Sequence, residues 1–279
     1  MRCLEMPEYV NNPTRLGHPM KRVGERGENK WEEISWDEAL DIIEEKVRAI
    51  WKDYGPEAIV AHVGTGRNNN DHIPYMTYSA FGSPNFSMGY LAGDSCFCPR
   101  SASMASMNGD FFIADMSQQF EKRYDEENTE WRCPEVIVNW GCNAVVSNSD
   151  NFFGHWIVDC MQRGAKMITV DPALTWLAAR SEVWLRVRPG TDAALAMAMI
   201  HVIAEEDLYD HDFVEKWCYG FDELVERCKE WTPEKAGEVC WIEPEKIVEA
   251  ARLYANAKPA AIQWGLKVDQ TTNATATAN

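Results

Sequence analysis

Residues 135–143 read Glu-Val-Ile-Val-Asn-Trp-Gly-Cys-Asn, an apolar run that ends in a small and polar cluster. A short apolar run bounded by turn residues is typical of a buried strand. Similar runs occupy 166–170, 183–187 and 260–264, and segments of helical length separate them. Strands that alternate with helices predict an α/β fold with doubly wound, mostly parallel sheets.

The residues that follow these strands are suited to ligand binding, because ligands of doubly wound sheets bind beyond the carboxyl ends of the strands. Gly141 would let the backbone approach a phosphate or sugar, and Asp171 can accept a hydrogen bond from a ribose hydroxyl. Asp192 can accept from the N1–H and amino group of guanine, and Thr191 is predicted to cap the next helix. For each residue alone, ordinary turn chemistry is the alternative. The candidate binding residues are Trp140, Gly141, Asn143, Asp171, Pro172, Thr175, Pro189, Gly190, Thr191, Asp192, Trp264 and Gly265.

The first part of the chain is less regular. Residues 1–36 show no period and are predicted to be an extended segment. A helix is predicted from the capping box at Ser35, because Glu38 follows at the required spacing. A strand is predicted over 58–63, a further helix over 72–81, and a polar surface connection over 118–132.

Two cysteines, Cys96 and Cys98, lie in a loop rich in small residues. Their spacing is too close for an ordinary disulfide, and no neighbouring Cys or His pair completes a zinc site. A thiolate on a loop can ligate molybdenum, tungsten or an iron–sulfur centre, and the alternative is an inert, packed thiol pair. Arg100 could hold an anion, and His72 is the histidine most suited to a functional role.

The charge balance and the missing motifs exclude several classes of protein. The 279 residues carry 27 Lys and Arg against 44 Asp and Glu, a net charge of −17. This charge argues against a nucleic acid partner, because phosphate binding needs a basic face. The sequence has no apolar run long enough to span a membrane and no P-loop or G-x-S-x-G motif, which argues against common NTPases and hydrolases.

Five stretches, in order, resemble the molybdopterin oxidoreductases, the dimethyl sulfoxide reductase family of molybdenum and tungsten enzymes. They are residues 13–27, 31–40, 140–143, 170–172 and 188–195, and residues 259–270 also fit. The resemblance implies a pair of molybdopterin guanine dinucleotides that hold Mo or W, with the strand ends binding one of them. It also implies a protein ligand to the metal. Cys96 matches that position best, since Pro99 and Gly109 follow at family spacing, and Cys98 is the second choice.

The resemblance further implies that this chain is an internal fragment of a longer protein. The [4Fe-4S] cluster of the family would have its ligands outside the chain, with only Cys3 as a remnant. The expected parts are an extended segment (1–36), the first half of an α/β domain with the metal-site loop (37–130), a Rossmann-like guanine dinucleotide-binding domain (131–268) and a truncated return segment (269–279).

The implied function is redox chemistry on a small substrate in anaerobic respiration, as a reductase, dehydroxylase or dehydrogenase. The intact enzyme is expected to work with an iron–sulfur electron-transfer subunit, and the fragment alone is expected to be inactive. Two alternatives stay open, a non-redox hydratase of the same family and a non-catalytic remnant that binds a guanine nucleotide. The compartment, cytoplasmic or periplasmic, is also open.

Overall fold

The computed structural model describes residues 2–63, 72–88, 98–109, 132–147 and 153–278. The chain forms two compact units, residues 1–89 and residues 90–279. Across the described ranges, no helix combines the length and apolar character that a membrane crossing requires.

The first unit holds short strands and one long helix. Two strand pairs are present, one antiparallel and one parallel. The elements are α1 (Arg2–Val10), β1 (Met20–Arg22), β2 (Trp31–Glu33), α2 (Trp36–Tyr54), a 3-10 turn (Pro56–Ala58), β3 (Ala61–Val63), α3 (His72–Tyr75), a π turn (Met76–Ala80) and β4 (Phe86–Met88).

Helix α2 begins where the sequence predicts. The Ser35 hydroxyl accepts a hydrogen bond from the Glu38 backbone N–H at 3.1 Å, which satisfies a donor of the first turn. Gly55, at a φ of 83°, ends the helix. Two predictions need correction. Residues 2–10 are helical rather than extended, and the strand predicted over 58–63 is confined to 61–63 because a 3-10 turn occupies its start.

The second unit is built on a four-stranded sheet in the order β7-β6-β5-β8, with every neighbouring pair parallel. Its strands are β5 (Val136–Trp140), β6 (Lys166–Val170), β7 (Val183–Leu185) and β8 (Ala260–Trp264). The helices of this unit are α4 (Cys98–Asn108), α5 (Ala144–Ser147), α6 (Phe153–Gln162), α7 (Asp192–Glu205), α8 (His211–Trp217), α9 (Phe221–Cys228), α10 (Pro233–Cys240), α11 (Pro244–Asn256), α12 (Leu266–Asp269) and α13 (Ala274–Ala278).

Apolar side chains are buried on both faces of this sheet. All five residues of β5 are buried, as expected for a central parallel strand. Val136, Val138 and Trp140 pack with α7, α10 and α11 in the larger cluster. Ile137 packs with Ile157 of α6 in the smaller one. The predicted α/β fold with mostly parallel sheets is confirmed.

Two local predictions differ from the structure, and one helix was not predicted. β7 ends at Leu185 rather than Val187. After β6 the sequence predicts a short helix over 173–180, of which only 178–180 is helical, as a 3-10 turn. Helix α10 was not predicted. It begins at Pro233, because the first turn of a helix tolerates proline. The Thr232 hydroxyl caps it by accepting a hydrogen bond from the Lys235 N–H.

Helix α4 packs against α12 and α13, so it belongs to the second unit. The boundary between the two units lies between Gly89 and Tyr90, whereas the resemblance implies a division in which α4 belongs to residues 37–130. The packing brings α4 together with the segment 269–279. The family-based domain boundaries stay a prediction.

Candidate functional site

The carboxyl ends of the four strands lie side by side at one edge of the sheet. Trp140 is in register with Val170 and with Trp264, and Val170 is in register with Leu185. Gly141, Asp171 and Gly265, which follow these strands, continue the ladder through their backbone N–H groups at 2.8–3.2 Å. The residues that follow three of these strands therefore lie next to one another. We refer to this edge as the carboxyl edge.

Asp192 is a buried carboxylate at the carboxyl edge. It is the first residue of α7 and is 7% exposed. The Trp140 indole N–H donates to its Oδ1 at 2.7 Å, which ties the end of β5 to the start of α7. In the described part of the chain, Oδ2 has no hydrogen-bond partner, so one oxygen is held and the other can accept from a ligand.

Asp171, at the end of β6, is half-buried and ordered by a local turn. Its Oδ1 accepts from the Ala173 N–H at 2.8 Å, and its carbonyl accepts from the Trp184 indole at 2.9 Å. Pro172 is exposed, and the Thr175 hydroxyl accepts from the Ala178 N–H at 3.1 Å. Both carboxylates that were predicted to bind a nucleotide therefore belong to this edge.

The loop after β7 is exposed at Pro189 and Gly190. Gly190 has a φ of 87°, and a Cβ placed on it would meet nothing within 4 Å, so the turn leaves open space there. The prediction that Thr191 caps α7 with its side chain is wrong. Its hydroxyl donates to the Arg188 carbonyl at 2.7 Å and so closes the preceding turn instead.

Gly141 and Gly265 let two loops approach each other closely. A Cβ on Gly265 would overlap the Gly141 carbonyl oxygen and lie 2.7 Å from the Cys142 Cβ. Cys142 is enclosed by this approach, and burial raises the pKa of its thiol, while the hydrogen bond from Gln263 opposes that effect. The small residues at these strand ends thus serve loop packing as well as ligand access.

Arg100 is engaged inside the protein. Its backbone N–H and Nε donate to the Asp269 carboxylate at 3.1 and 2.8 Å, and Nη2 makes a further contact. The Asp269 side chain is 1% exposed. The guanidinium also lies 5.6 Å from the centre of the Trp264 ring. The pair with Asp269 joins the start of α4 to α12, and the contact with Trp264 places the same guanidinium beside the end of β8. The predicted anion-binding role of Arg100 stays a prediction.

An apolar cavity of about 300 Å³ adjoins the carboxyl edge. Trp140 and Trp264 form part of its wall. Trp140 is also the residue that donates to Asp192, and Trp264 is the residue whose ring contacts Arg100. It is lined by Met104, Trp140, Ala196, Ile262, Trp264, Val268 and Thr277.

Several buried polar groups were not predicted from the sequence. The amide oxygens of Asn139, Asn143 and Gln263 are buried and have no hydrogen-bond partner in the part of the chain that the structure describes. Only Asn143 was a candidate. Asn139 carried a signal, since an amide in an otherwise apolar strand is unusual, whereas nothing local in the sequence marks Asp269.

The predicted metal ligand Cys96 lies outside the described residues. Cys98, the second choice, is the first residue of α4 and is half-buried. His72 is exposed at the start of α3 in the first unit. Over the described ranges, no group of three or more His, Cys, Asp or Glu side chains could hold a metal ion by itself. The assignments of Cys96, Cys98 and His72 stay predictions.

Comparison with known proteins decides the family. The molybdopterin oxidoreductase family matches residues 15–279, nearly the whole chain. The chain belongs to this family. The resemblance seen in the sequence is thereby confirmed.

Individual relatives of this chain include a hydratase and a reductase. Acetylene hydratase of Syntrophotalea acetylenica is 35% identical over 98% of this chain and 35% of its own length. The probable dimethyl sulfoxide reductase chain YnfF of Escherichia coli is 36% identical over 92% of this chain and 33% of its own length. The chain thus spans about a third of these relatives.

The solved structure of acetylene hydratase from Pelobacter acetylenicus has the same fold. It superimposes with a TM-score of 0.75 at 31% identity, over 100% of this chain and 36% of the hydratase. The α/β architecture with parallel sheets is therefore that of a known molybdopterin oxidoreductase family structure.

Proposed function

We propose that this chain is part of a molybdenum- or tungsten-dependent oxidoreductase and that its carboxyl edge binds the guanine nucleotide portion of a bis-molybdopterin guanine dinucleotide cofactor. The observation that carries the proposal is the Asp192 carboxylate, buried at the start of α7 and held through one oxygen by Trp140. A buried carboxylate with a remaining acceptor suits the paired N–H donors of guanine.

The other residues of the carboxyl edge fit the same ligand. Asp171 would accept from ribose hydroxyls, since a carboxylate repels phosphate but binds hydroxyl donors. Within the described ranges the Asn143 amide oxygen has no hydrogen-bond donor, so this side chain is proposed to pair with a polar group of the cofactor. Gly190 leaves open space where a side chain would intrude. Pro172, Thr175, Pro189, Thr191, Trp140, Gly141, Trp264 and Gly265 would shape the remaining walls.

When bound, the cofactor supplies a molybdenum or tungsten centre capable of two-electron redox chemistry. Within the same proposal Cys96 ligates that metal, with Cys98 as the second choice, and a thiolate is a suitable donor for such a soft centre. Arg100 and His72 are proposed to contribute to the catalytic surroundings. A [4Fe-4S] cluster, with ligands outside these residues, and an iron–sulfur electron-transfer subunit belong to the intact enzyme.

Two other functions compete with this one. Acetylene hydratase resembles this chain in sequence and in structure, which favours a non-redox hydratase as the second candidate. A non-catalytic protein that binds a guanine nucleotide is the third. Metal analysis of the full-length protein separates the third from the others, and electron transfer to a viologen dye separates the redox enzyme from the hydratase.

The decisive test is Asp192→Asn in the full-length protein. Asparagine can still accept from Trp140, so the fold is retained while the charge is lost. Removing a charged hydrogen-bond partner costs about 1.5–3 kcal/mol, so we expect about a tenfold or greater loss of pterin and GMP content. Asp207→Asn, at an exposed carboxylate, is the control and should keep full content. Unchanged cofactor content in Asp192→Asn would refute the assignment.

A further inference from the structure

A row of three buried polar side chains crosses the sheet one residue before its carboxyl edge. Asn139 of β5 is in register with Thr169 of β6 on one side and with Gln263 of β8 on the other. Asn139 and Thr169 are fully buried, and Gln263 is 4% exposed. In a parallel sheet covered on both faces these positions are ordinarily apolar, so the row requires an explanation.

Thr169 is satisfied within the fold, but the two amides are not. The Thr169 hydroxyl pairs with the Ser181 hydroxyl at 2.7 Å. Among the residues that the structure describes, the Asn139 and Gln263 amide oxygens have no hydrogen-bond partner. A buried carbonyl without a donor costs folding free energy, which a leucine of similar shape would avoid. Stability alone therefore does not account for the two amides.

The NH₂ groups of both amides converge on one residue. Asn139 Nδ2 donates to the Cys142 carbonyl at 2.6 Å, and Gln263 Nε2 donates to the Cys142 sulfur at 3.3 Å. Gly265, the residue directly after β8, packs against Cys142, and a side chain on Gly265 would overlap the Cys142 Cβ. Cys142 is thus held from two strands, and it lies between Gly141 and Asn143 in the loop at the carboxyl edge.

We infer that Asn139 and Gln263 are positioning residues that hold the Gly141–Asn143 loop in the geometry that receives the cofactor. Neither side chain needs to touch the ligand. They fix Cys142, and Cys142 sets the direction of Asn143, the residue of this loop that is proposed to bind the cofactor. This inference rests on the proposed function of the carboxyl edge and adds the residues that preorganise it.

The test compares Asn139→Leu and Gln263→Leu with Thr169→Val in the full-length protein. Each leucine removes an NH₂ group that donates to Cys142, and it also removes the buried amide oxygen of the same side chain. We expect little change in the unfolding temperature of the cofactor-free protein, because losing the donor to Cys142 and losing the unpaired oxygen act in opposite directions. We also expect about a fivefold or greater loss of pterin content, the equivalent of one hydrogen bond. Thr169→Val, which breaks the pair with Ser181 but leaves Cys142 untouched, should lower the unfolding temperature and keep pterin affinity.

The possible results separate the two claims. Full pterin content in both leucine variants, beside a pterin-loaded wild type, overturns the inference alone. A parallel fall of stability and pterin content, or failure of both leucine variants to fold, also overturns it, because the amides would then serve the fold. A full-length wild type without pterin under cofactor-replete expression overturns the proposed function and the inference with it.

Discussion

At the scale of single residues, the carboxyl edge depends on one glycine that lacks a special backbone angle. Gly265 has an extended φ of −113°, so any residue could adopt its conformation. Its side-chain space is nevertheless filled by the Gly141 carbonyl and the Cys142 Cβ. Glycine is required here by packing between loops, which sequence patterns do not reveal.

We therefore predict that Gly265→Ala is destabilising. Overpacking against backbone atoms costs about 1–3 kcal/mol, because the two loops must separate. Gly17→Ala is the matched control, since a Cβ there meets nothing within 4 Å, and it should change stability little. Urea unfolding of both variants measures the difference. Equal midpoints would show that the loops adjust freely.

The cysteines of the second unit should differ in reactivity. The hydrogen bond with the Cys160 side chain, assisted by the Arg163 charge, lowers the pKa of the Cys133 thiol. Burial raises the pKa of Cys142, Cys228 and Cys240. Because the thiolate is the nucleophile, Cys133 should react with iodoacetamide before these three at neutral pH.

The pH dependence of labelling follows from the sign of these shifts. Because its pKa is lowered, Cys133 stays a thiolate to lower pH than a free thiol does. The pH at which its labelling rate is half-maximal should therefore be lower than that of a free thiol. Peptide mass spectrometry over a time course gives the order. Arg163→Gln should slow the labelling of Cys133 and leave the labelling rate of Cys142 unchanged. Faster labelling of Cys142 than of Cys133 in the wild type would contradict the assignment.

At the scale of elements, helix α4 is joined to α12 by the pair of Arg100 and Asp269. Removing one partner of a buried pair leaves an uncompensated charge and costs about 3–5 kcal/mol. We predict a loss of this order for Asp269→Ala in urea unfolding. Asp212→Ala, at an exposed i,i+4 pair with Lys216, should have little effect. A similarly small effect of Asp269→Ala would mean that α4 is held by apolar packing alone.

Element prediction succeeded where one signal dominated. The strand Ala260–Trp264 and the start of α2 at Ser35 agree with the sequence, because apolar runs and capping residues act locally. Helices α1 and α10 were missed. α1 contains a proline, Pro7, and the buried face of α10 consists of small residues, Pro233, Ala236, Gly237 and Cys240, which give a weak apolar signal. The carboxyl edge was predictable from strand ends alone. The pairing of Trp140 with Asp192 was not, because it depends on how α7 packs.

At the scale of the whole molecule, residues 90–279 form a unit that includes α4. We predict that a chain of residues 90–279 is more stable to urea than one of residues 132–279, which lacks α4 and leaves Asp269 without its partner. A chain of residues 110–279 lacks α4 but is longer than 132–279, so it separates the loss of α4 from the loss of length. Its urea midpoint should match that of 132–279. Equal midpoints for all three would contradict this role of α4.

The order of the sheet has a consequence for synthesis on the ribosome. Central strand β5 pairs with β6 soon after both emerge, but its other neighbour arrives much later, since Val136 is in register with Ala260. At about 5–20 residues per second, roughly 6–25 s pass before β8 is translated. During that interval one edge of β5 is exposed to other nascent chains, so cotranslational binding by a chaperone would matter most for this strand.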